Sequence, residues 1–572
     1  MSPTSFRKTL LALAVTATLP VYAESLVLNN AGIEKNDETF SESVEITGSF
    51  TSNNSDLDAI ELNSATINGD LTLNAVINAN GANADGLDLS MSGEDPAPFG
   101  PRTMIKGSLI NQGSISVVGD GSAAMLIDPA LIESNLVNQG TLSAKGGLLD
   151  GDGVRALEFS GESELYGDLI NATSGKIIAE GSHATGILLE GGQINGKLIN
   201  HGLIQVSGAE ATAIDATSNE NGHANDRVDI GGIENHGSII AQGDNAVGMM
   251  LDGVSFASSA AHVINTGLIE ATDAAIEIGG FDIDGQNNPF PLRIRNSGTI
   301  TSQDEAIDAS EATDPVYLDW EAGTITGNLI DLSNIEILGN VTFKGTDATA
   351  DGANIRMKNG GWIDVGSVSD QIIGHLELGQ THTSIDGNIY VAGNSSLGMS
   401  LSNATDPSKA ILDVSGTAEF GNGAQIKLAA KDSDFTAKGS NYKLIQAAEI
   451  DDNGLRVVSS SSLLNVDTFA VEGNQVVAKV TGKSVGEVGQ VIGNNGGSSN
   501  AQAAGAAFSQ LVLNQLAQSN PSDPVRQAFI AASQNPAALA KLAEQLAPES
   551  NGGATQAATS GPALIRHLPR RR

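Results

Sequence analysis

Two kinds of side chain in this sequence have the type and spacing to bind a metal ion. His201 and His236 each stand between the Asn and the Gly of a recurring Asn-x-Gly corner, and imidazole is a common metal ligand. The stretches 150–153, Asp-Gly-Asp-Gly, and 282–285, Asp-Ile-Asp-Gly, look like the first half of a calcium loop. Other copies of the corner hold Gln, Thr or Ser, however, and neither acidic stretch continues to the bidentate acidic residue of an EF-hand. We therefore predict turn positions and solvated acidic turns, with no metal site.

Several sequence motifs of the common hydrolases are absent. There is no Gly-Asp-Ser or Gly-Thr-Ser-x-Ala stretch, no His-Glu-x-x-His and no Walker loop. With 67 Asp and Glu residues, paired carboxylates occur by chance and are weak evidence for polysaccharide cleavage. The sequence predicts a protein with no catalytic residues and no cofactor. A polysaccharide-degrading β-helix enzyme is the alternative from another functional class.

The residues that surround these candidates belong to one repeated unit. Residues 105–117, Ile-Lys-Gly-Ser-Leu-Ile-Asn-Gln-Gly-Ser-Ile-Ser-Val, have the same outline as residues 194–206, Ile-Asn-Gly-Lys-Leu-Ile-Asn-His-Gly-Leu-Ile-Gln-Val. Two short alternating apolar runs meet at the Asn-x-Gly corner, and successive corner Asn residues are 27 to 35 positions apart. The corner residues are Asn111, Gly113, Asn138, Gly140, Asn171, Asn200, Gly202, Asn235, Gly237, Asn265, Gly267, Asn296 and Gly298, with the glycine delayed to Gly175 after Asn171.

A period near 30 residues with three short strands predicts an all-β fold, a right-handed parallel β-helix with a short α-helical C-terminal segment. Each strand would pair with its equivalent about 4.8 Å above and below, around a stacked Ile, Leu and Val interior. The corner amides would bond one another in a ladder along the stack, while each Gly supplies a positive φ. We therefore predict a structural role for the corner residues and no ligand site there.

The composition excludes several functional classes. The net charge of −38 predicts a surface that repels nucleic acid and anionic lipid. The chain has no Cys, which excludes zinc fingers, iron–sulfur clusters and thiol catalysis. Gly is abundant at 67 residues and aromatic residues make up only 4 %, which suits many tight turns between short strands.

The chain divides into six segments by composition. The first has Arg7 and Lys8 before the apolar run 10–19 and a small-residue cleavage pattern that ends at Ala23, as in a Sec signal peptide. Apolar residues at helical spacing, and Pro after Asp523 and Asn535, predict helices over 501–518, 524–533 and 536–547. The predicted segments are a signal peptide (1–23), β-helix repeats (24–344), C-terminal rungs with an autochaperone-like cap (345–482), a Gly/Asn/Ser linker (483–500), an α-helical segment (501–547) and a disordered tail (548–572).

Three inserts interrupt the repeat, at residues 94–101, 218–229 and 279–291. The last contains Phe281, Phe290 and Pro291 in a chain poor in aromatic residues. Insertions in a solenoid project from one face, where binding usually resides. We expect these inserts to carry any ligand contacts.

The sequence resembles the passenger domains of autotransporters, the type V secretion proteins of Gram-negative bacteria. The resemblance rests on the leader, the Cys-free Ile-Asn-x-Gly-x-Ile rungs, and residues 410–447, which are similar to the end of a passenger. The most specific part is residues 539–557, Leu-Ala-Lys-Leu-Ala-Glu-Gln-Leu-Ala-Pro-Glu-Ser-Asn-Gly-Gly-Ala-Thr-Gln-Ala, which look like the helical segment before a translocator barrel.

The resemblance implies export by the Sec machinery and display at the cell surface or outer membrane. The family's C-terminal barrel is not expected in this chain, because a barrel of the family's 12 strands needs well over ~120 residues and twelve follow Ser560. The first hypothesis is a non-catalytic, adhesin-like or structural rod that binds a host, matrix or cell-surface ligand. Besides the enzyme, a second alternative is a truncated, non-functional autotransporter that stays in the periplasm.

Overall fold

The chain forms two compact units, Met1–Leu203 and Ile204–Arg572. The structure, a computed structural model, describes residues 24–26, 33–91, 101–217, 228–256, 262–280, 291–346, 353–402, 405–430, 439–514 and 524–547. The predicted signal peptide and tail, and the interiors of the three inserts with Phe281, Asp282, Asp284 and Phe290, lie outside these residues.

The first unit is a parallel β-helix, as the sequence predicts. One rung consists of Leu109–Asn111, Ser114–Val118, Ala123–Asp128 and Ala130–Ile132, which we call its first, second, third and fourth strands. Each strand pairs in parallel with its equivalent in the next rung; Leu109, Ile110 and Asn111, for example, lie opposite Leu136, Val137 and Asn138. The prediction of three strands per rung was wrong for this unit, because a fourth strand of two or three residues forms a parallel ladder of its own.

The other strands of this unit repeat the same order. Strands Val44–Ser52 and Leu71–Asn80 each span the first and second positions of a rung. The remaining strands are Glu24–Leu26, Ile33–Asn36, Thr39–Phe40, Ile60–Asn63, Thr66–Ile67, Leu87–Ser90, Thr103–Ile105, Leu136–Asn138, Thr141–Lys145, Arg155–Ser160, Glu164–Leu165, Leu169–Asn171, Lys176–Glu180, Thr185–Glu190, Gln193–Ile194 and Leu198–Asn200.

The interior of the unit is a column of stacked aliphatic side chains. Ile115, Leu142 and Ile177 lie in register on neighbouring second strands, and each is fully buried. Burial of such a side chain contributes about 1.5–3 kcal/mol. Since one rung cannot cover both sides of its own side chains, the stack depends on its neighbours.

The second unit begins with rungs of four strands, and its later rungs have three. Strand Val316–Lys344 supplies five consecutive rung positions and pairs in parallel with Ile355–Val365 and His375–Leu378. In the later rungs a short corner such as Asp386-Gly387-Asn388 joins the third strand directly to the next first strand. The other strands are Leu203–Ser207 at the unit boundary, Thr212–Thr217, Val228–Ile230, Ile233–Asn235, Ser238–Gln242, Val247–Asp252, Val254–Phe256, Val263–Asn265, Leu268–Glu270, Ile276–Ile278, Leu292–Asn296, Thr299–Asp308, Thr383–Asp386, Asn388–Val391, Ser396–Leu401, Leu412–Phe420, Gln425–Ala430, Ser440–Asp452, Arg456–Ser459, Leu464–Glu472 and Gln475–Gly482.

Antiparallel pairing ends the parallel ladder of the second unit. Gln475–Gly482 pairs antiparallel with both Ser440–Asp452 and Leu464–Glu472. A strand of opposite direction cannot serve as the template for another parallel rung, so it closes the stack. This closure falls within the segment for which the sequence predicts a cap.

In the part of the chain that the structure describes, four helices pack beside this cap: Val485–Asn494, Ser499–Asn514, Pro524–Ser533 and Pro536–Leu546. The first corrects the predicted linker at 483–500. Ser484 and Glu487 form a capping box there, which starts a helix in spite of its glycines. Val488 and Ile492 then bury against Leu463 of the cap and Leu539 of the last helix. Among the residues described, no helix is both long and apolar enough to span a membrane.

Candidate functional site

The corner asparagines form a buried ladder of amide hydrogen bonds. In the first unit Asn111 Nδ2 donates to Asn138 Oδ1 at 2.8 Å, Asn138 to Asn171 at 2.9 Å, and Asn171 to Asn200 at 2.8 Å. In the second unit Asn235 donates to Asn265 and Asn265 to Asn296, both at 2.8 Å. All seven side chains are at most 1 % exposed. Their amides are occupied with one another, which leaves no room for a ligand.

The amides also bond the backbone of their own turn, as at Asn111, Asn200, Asn265 and Asn296, or the backbone of the next rung. Asn111 Oδ1 accepts from Gly113 N at 3.1 Å, and Asn138 Nδ2 donates a second bond to Lys176 O at 3.2 Å. The second-unit ladder ends at Asn296, whose Nδ2 is buried without a hydrogen-bond partner because Trp320 occupies the next register position.

The corner glycines serve close stacking, so the predicted positive φ was wrong. None of Gly113, Gly140, Gly202, Gly267 and Gly298 has a left-handed backbone. A Cβ at these positions would lie 1.9–2.3 Å from a carbonyl oxygen of the neighbouring rung, such as Gly113 O for Gly140. Gly237 supplies that oxygen for Gly267. The corner requires Gly because the backbones of neighbouring rungs are too close together to accommodate a Cβ.

The histidines of the corner face solvent. His236 shares hydrogen bonds with Thr266 Oγ1 at 2.7 Å and Glu234 Oε2 at 3.2 Å, and His201 is exposed at the equivalent corner of the first unit. Asp152 forms an ion pair with Arg155 at 3.1 Å. Within the described residues, none of these side chains belongs to a cluster that could hold a metal ion.

The structure instead brings together carboxylates on the third strands. In the first unit, outward positions in register carry Glu61, Asp88, Leu126, Glu158 and Leu188 on successive rungs. We call the carboxylates on and beside these strands the acidic face of the first unit; they are Asp58, Glu61, Asp85, Asp88, Asp128 and Glu158.

The densest part of the acidic face is a three-carboxylate cluster. One oxygen from each of Asp58, Glu61 and Asp88 lies within 4.8 Å of the others. Asp58 Oδ1 accepts from Asp85 N at 2.7 Å, and Asp88 Oδ2 accepts from Ser90 Oγ at 3.1 Å. Asp88 Oδ1 is buried and has no hydrogen-bond partner. Oxygens of this kind suit a hard cation such as Ca²⁺, although acidic groups often cluster without one.

Burial is the main cause of the raised pKa values of these carboxyl groups. It raises the pKa of Asp88 to about 8, with repulsion from Asp58, Asp85 and Glu61 adding to the effect. It raises the pKa of Asp85 to about 7, although the carboxylate accepts from Ala123 N at 2.6 Å. Part of the acidic face is therefore protonated at neutral pH.

One cation faces this surface further along the unit. Burial raises the pKa of Glu158, and the Arg155 guanidinium 3.4 Å away opposes that shift. Arg155 also holds Asp152, so it neutralises carboxylates on both sides.

The second unit has a similar cluster. Asp273, Asp304 and Glu305 lie within 4.8 Å of one another where the second and third strands meet. Burial and then repulsion from Asp304 raise the pKa of Glu305 to about 7. On the third strands Glu277 lies directly opposite Asp308, and burial followed by this repulsion raises the pKa of Glu277.

The inserts leave the rungs directly after third strands. The insert of the first unit, 92–100, follows Leu87–Ser90. In the second unit, 218–227 follows Thr212–Thr217, and 281–290 follows Ile276–Ile278. The edge that carries the acidic side chains is therefore also the edge from which these inserts arise.

An open groove of about 430 Å³ lies on the later third strands of the second unit. Arg356, Asp386, Asp413, Ser415 and Gln446 line it. Arg356 Nε donates to Asp331 Oδ1 at 2.6 Å, so its charge is already paired. The groove shares no residue with the two carboxylate clusters.

Residues 103–211 match the family model described as the BigA fourth domain. This segment contains the rungs with the regular asparagine ladder of the first unit. The match and the repeated β-helix support a bacterial surface protein of the adhesin-like repeat class. No curated protein and no solved structure matches the chain.

Proposed function

We propose that this chain is an autotransporter passenger, a non-catalytic adhesin-like scaffold that is exported by the Sec machinery and displayed at the cell surface. The observation that carries the proposal is the arrangement of the inserts, which follow third strands of rungs that are otherwise regular. A rigid ladder of rungs holds such inserts at fixed positions, and binding residues are usually found on loops of that kind.

The acidic face gives the binding edge its chemistry. Carboxylates that lie in register on neighbouring rungs create a negative field beside the bases of the inserts 92–100 and 281–290. Such a surface favours partners that present basic groups and disfavours nucleic acid. The ligand we propose is a protein or matrix component of the host or of a neighbouring cell.

Replacement of the inserts tests this function. Residues 92–100, 218–227 and 281–290 are each exchanged for Gly-Ser linkers of equal length, and residues 257–261, which follow the fourth strand Val254–Phe256, serve as the matched control. Binding of the purified chain to matrix proteins, glycan arrays and bacterial cells is measured. We expect binding to fall about tenfold or more in at least one third-strand variant, as loss of an interface hot spot would produce, and to be unchanged in the control. Equal binding by all four variants would contradict the proposal.

One observation favours a polysaccharide-degrading enzyme as the second candidate. Asp88, with a pKa of about 8, stands within 4.8 Å of two other carboxylates, as a general acid stands beside a nucleophile in glycosidases. Aromatic side chains that would stack on sugars are missing from the outward register positions of this cluster. Release of reducing sugar by the intact chain, abolished in Asp88→Asn, would support the enzyme and exclude the scaffold.

A further inference from the structure

The acidic face of the first unit stacks carboxylates of like charge on adjacent rungs. A β-helix does not require such a stack in order to fold. Glu61 and Asp88 are directly opposite on adjacent parallel strands, which lie about 4.8 Å apart. Asp58 and Asp85 occupy the equivalent turn on the same two rungs, with Asp58 Oδ1 bound to Asp85 N. Four carboxylates are thus fixed by the register of two rungs.

The neighbouring elements add little positive charge at this point. Asp56 and Asp58 face the pair from the turn before strand Ile60–Asn63, and Glu61 faces it from that strand. On the next rung Asp128 lies in register beyond Ser90. Arg155 and Glu158 face Asp85 from the rung after that, and their opposite effects on its pKa partly cancel.

We propose that this stack is a proton-dependent latch: the rungs at residues 58–63 and 85–90 are held closed when the carboxylates share protons and are loosened when all of them ionise. A protonated carboxyl donates one hydrogen bond, which a neighbouring carboxylate oxygen can accept. Asp88 Oδ1, buried and without a donor, is the atom that gains most from such a proton.

The direction of the effect follows from linkage. Asp85 and Asp88 have folded pKa values of about 7 and about 8, against 3.8 for an ordinary aspartate. The folded rungs therefore hold protons at pH values where the unfolded chain has lost them. The stability that these protons contribute is fully present below about pH 4 and is lost as the pH rises from about 4 to about 8. The latch is closed on the acidic side.

Hydrogen exchange of the full chain in EDTA, at pH 5.5 and pH 8.5 and corrected for intrinsic exchange, tests the latch. We expect protection in peptides that cover Ile60–Asn63 and Leu87–Ser90 to be lower at pH 8.5 by about tenfold or more, since one unit of pKa shift corresponds to a factor of ten. Peptides that cover Thr141–Lys145 serve as the internal reference and should show no such change.

The double variant Asp85→Asn with Asp88→Asn should lose this pH dependence. Its protection at pH 8.5 should equal its own protection at pH 5.5. The exposed Glu42→Gln is the matched control and should behave as the wild type. Wild-type protection equal at the two pH values, or a double variant with an unchanged pH dependence, would overturn the latch.

If the double variant does not fold, infrared spectra of the wild type with isotope-labelled Asp decide the question. A protonated aspartic acid band that persists at pH 6.5 and disappears by pH 9 supports the latch, and its absence at pH 6.5 overturns it. These outcomes do not depend on ligand binding, so they are separate from the test of the proposed function.

Discussion

The asparagine ladder and the acidic face are both stacks of polar side chains that repeat once per rung, and their energetics are opposite. Each amide has a donor and an acceptor, so Asn138 accepts from Asn111 and donates to Asn171. An ionised carboxylate has only acceptors, so Glu61 and Asp88 repel each other unless a proton or a cation lies between them. A stack of polar side chains stabilises a solenoid only if its members can both donate and accept a hydrogen bond.

The same comparison separates scaffold from surface. The ladder is buried and hydrogen-bonded from member to member up to Asn296, and its loss would affect folding before it affected binding. The acidic face is half-buried, incompletely paired and adjacent to the insert 92–100, features that are typical of functional surfaces. The experiments below exchange properties between the two stacks.

The largest effect is expected when a ladder position is given the chemistry of the acidic face. Asn138→Asp leaves Asn171 Oδ1 and Lys176 O without their donor and buries a charge, so we expect a loss of about 3 kcal/mol at neutral pH. Thermal and denaturant unfolding followed by circular dichroism measures it. Gln112→Glu, at the exposed position beside the ladder, is the control and should change stability by less than about 0.5 kcal/mol. A stability of Asn138→Asp equal to that of the control would show that the ladder is not a stabilising element.

A smaller loss is expected when the spacing of the rungs is altered. Gly140→Ala places a Cβ about 1.9 Å from Gly113 O, so the backbones must separate at a cost of about 2 kcal/mol. Gly486→Ala in the helix Val485–Asn494 meets no atom within 4 Å and should instead stabilise by roughly 0.5–1 kcal/mol. Opposite signs for the two variants are the result to look for, and a neutral Gly140→Ala would mean that the corner does not require Gly.

The sequence predicts the ladder and not the acidic face, although both have the same period. Asn stands out because it recurs beside Gly between apolar residues. Asp58 and Asp85, and Glu61 and Asp88, are also 27 positions apart, the separation of Asn111 and Asn138. With 67 acidic residues in the chain, such a coincidence carries little weight until strand pairing fixes the register.

The details that the sequence analysis missed share a physical cause. The fourth strand is only two residues long at Thr66–Ile67 and Glu164–Leu165, too short to show alternation. The helix Val485–Asn494 contains three glycines that argue against it, while its capping box and its burial against Leu463 favour it. Tertiary packing outweighed the low helix and strand propensity of these segments, with local capping adding to it at Ser484.

Removal of the cation from the acidic face should have a moderate effect. Arg155→Gln leaves Glu158 buried beside no opposite charge, and we expect a loss of about 1 kcal/mol at pH 7. Because Glu158 then protonates more readily, the loss should shrink at pH 5. Unfolding at the two pH values measures it. Lys145→Gln, which breaks the exposed pair with Glu180 at 2.7 Å, is the control and should cost less than about 0.5 kcal/mol at either pH. Equal losses for the two variants would place Arg155 among ordinary surface charges.

The smallest effect is expected when one carboxylate of the Glu277–Asp308 pair in the second unit is replaced by an amide. Burial and the opposing Asp308 raise the pKa of Glu277, so the folded chain keeps a proton there longer than the unfolded chain as the pH rises. Ionisation of Glu277 therefore costs stability at pH 8 and not at pH 4. Glu277→Gln should raise the free energy of unfolding at pH 8 by roughly a few tenths of a kcal/mol, seen as a higher melting temperature. The gain is small because solvent screens groups that are half-exposed. The exposed Glu311→Gln should leave it unchanged at both pH values. A gain that is equal at pH 4 and pH 8 would show that repulsion between the stacked carboxylates is not its source.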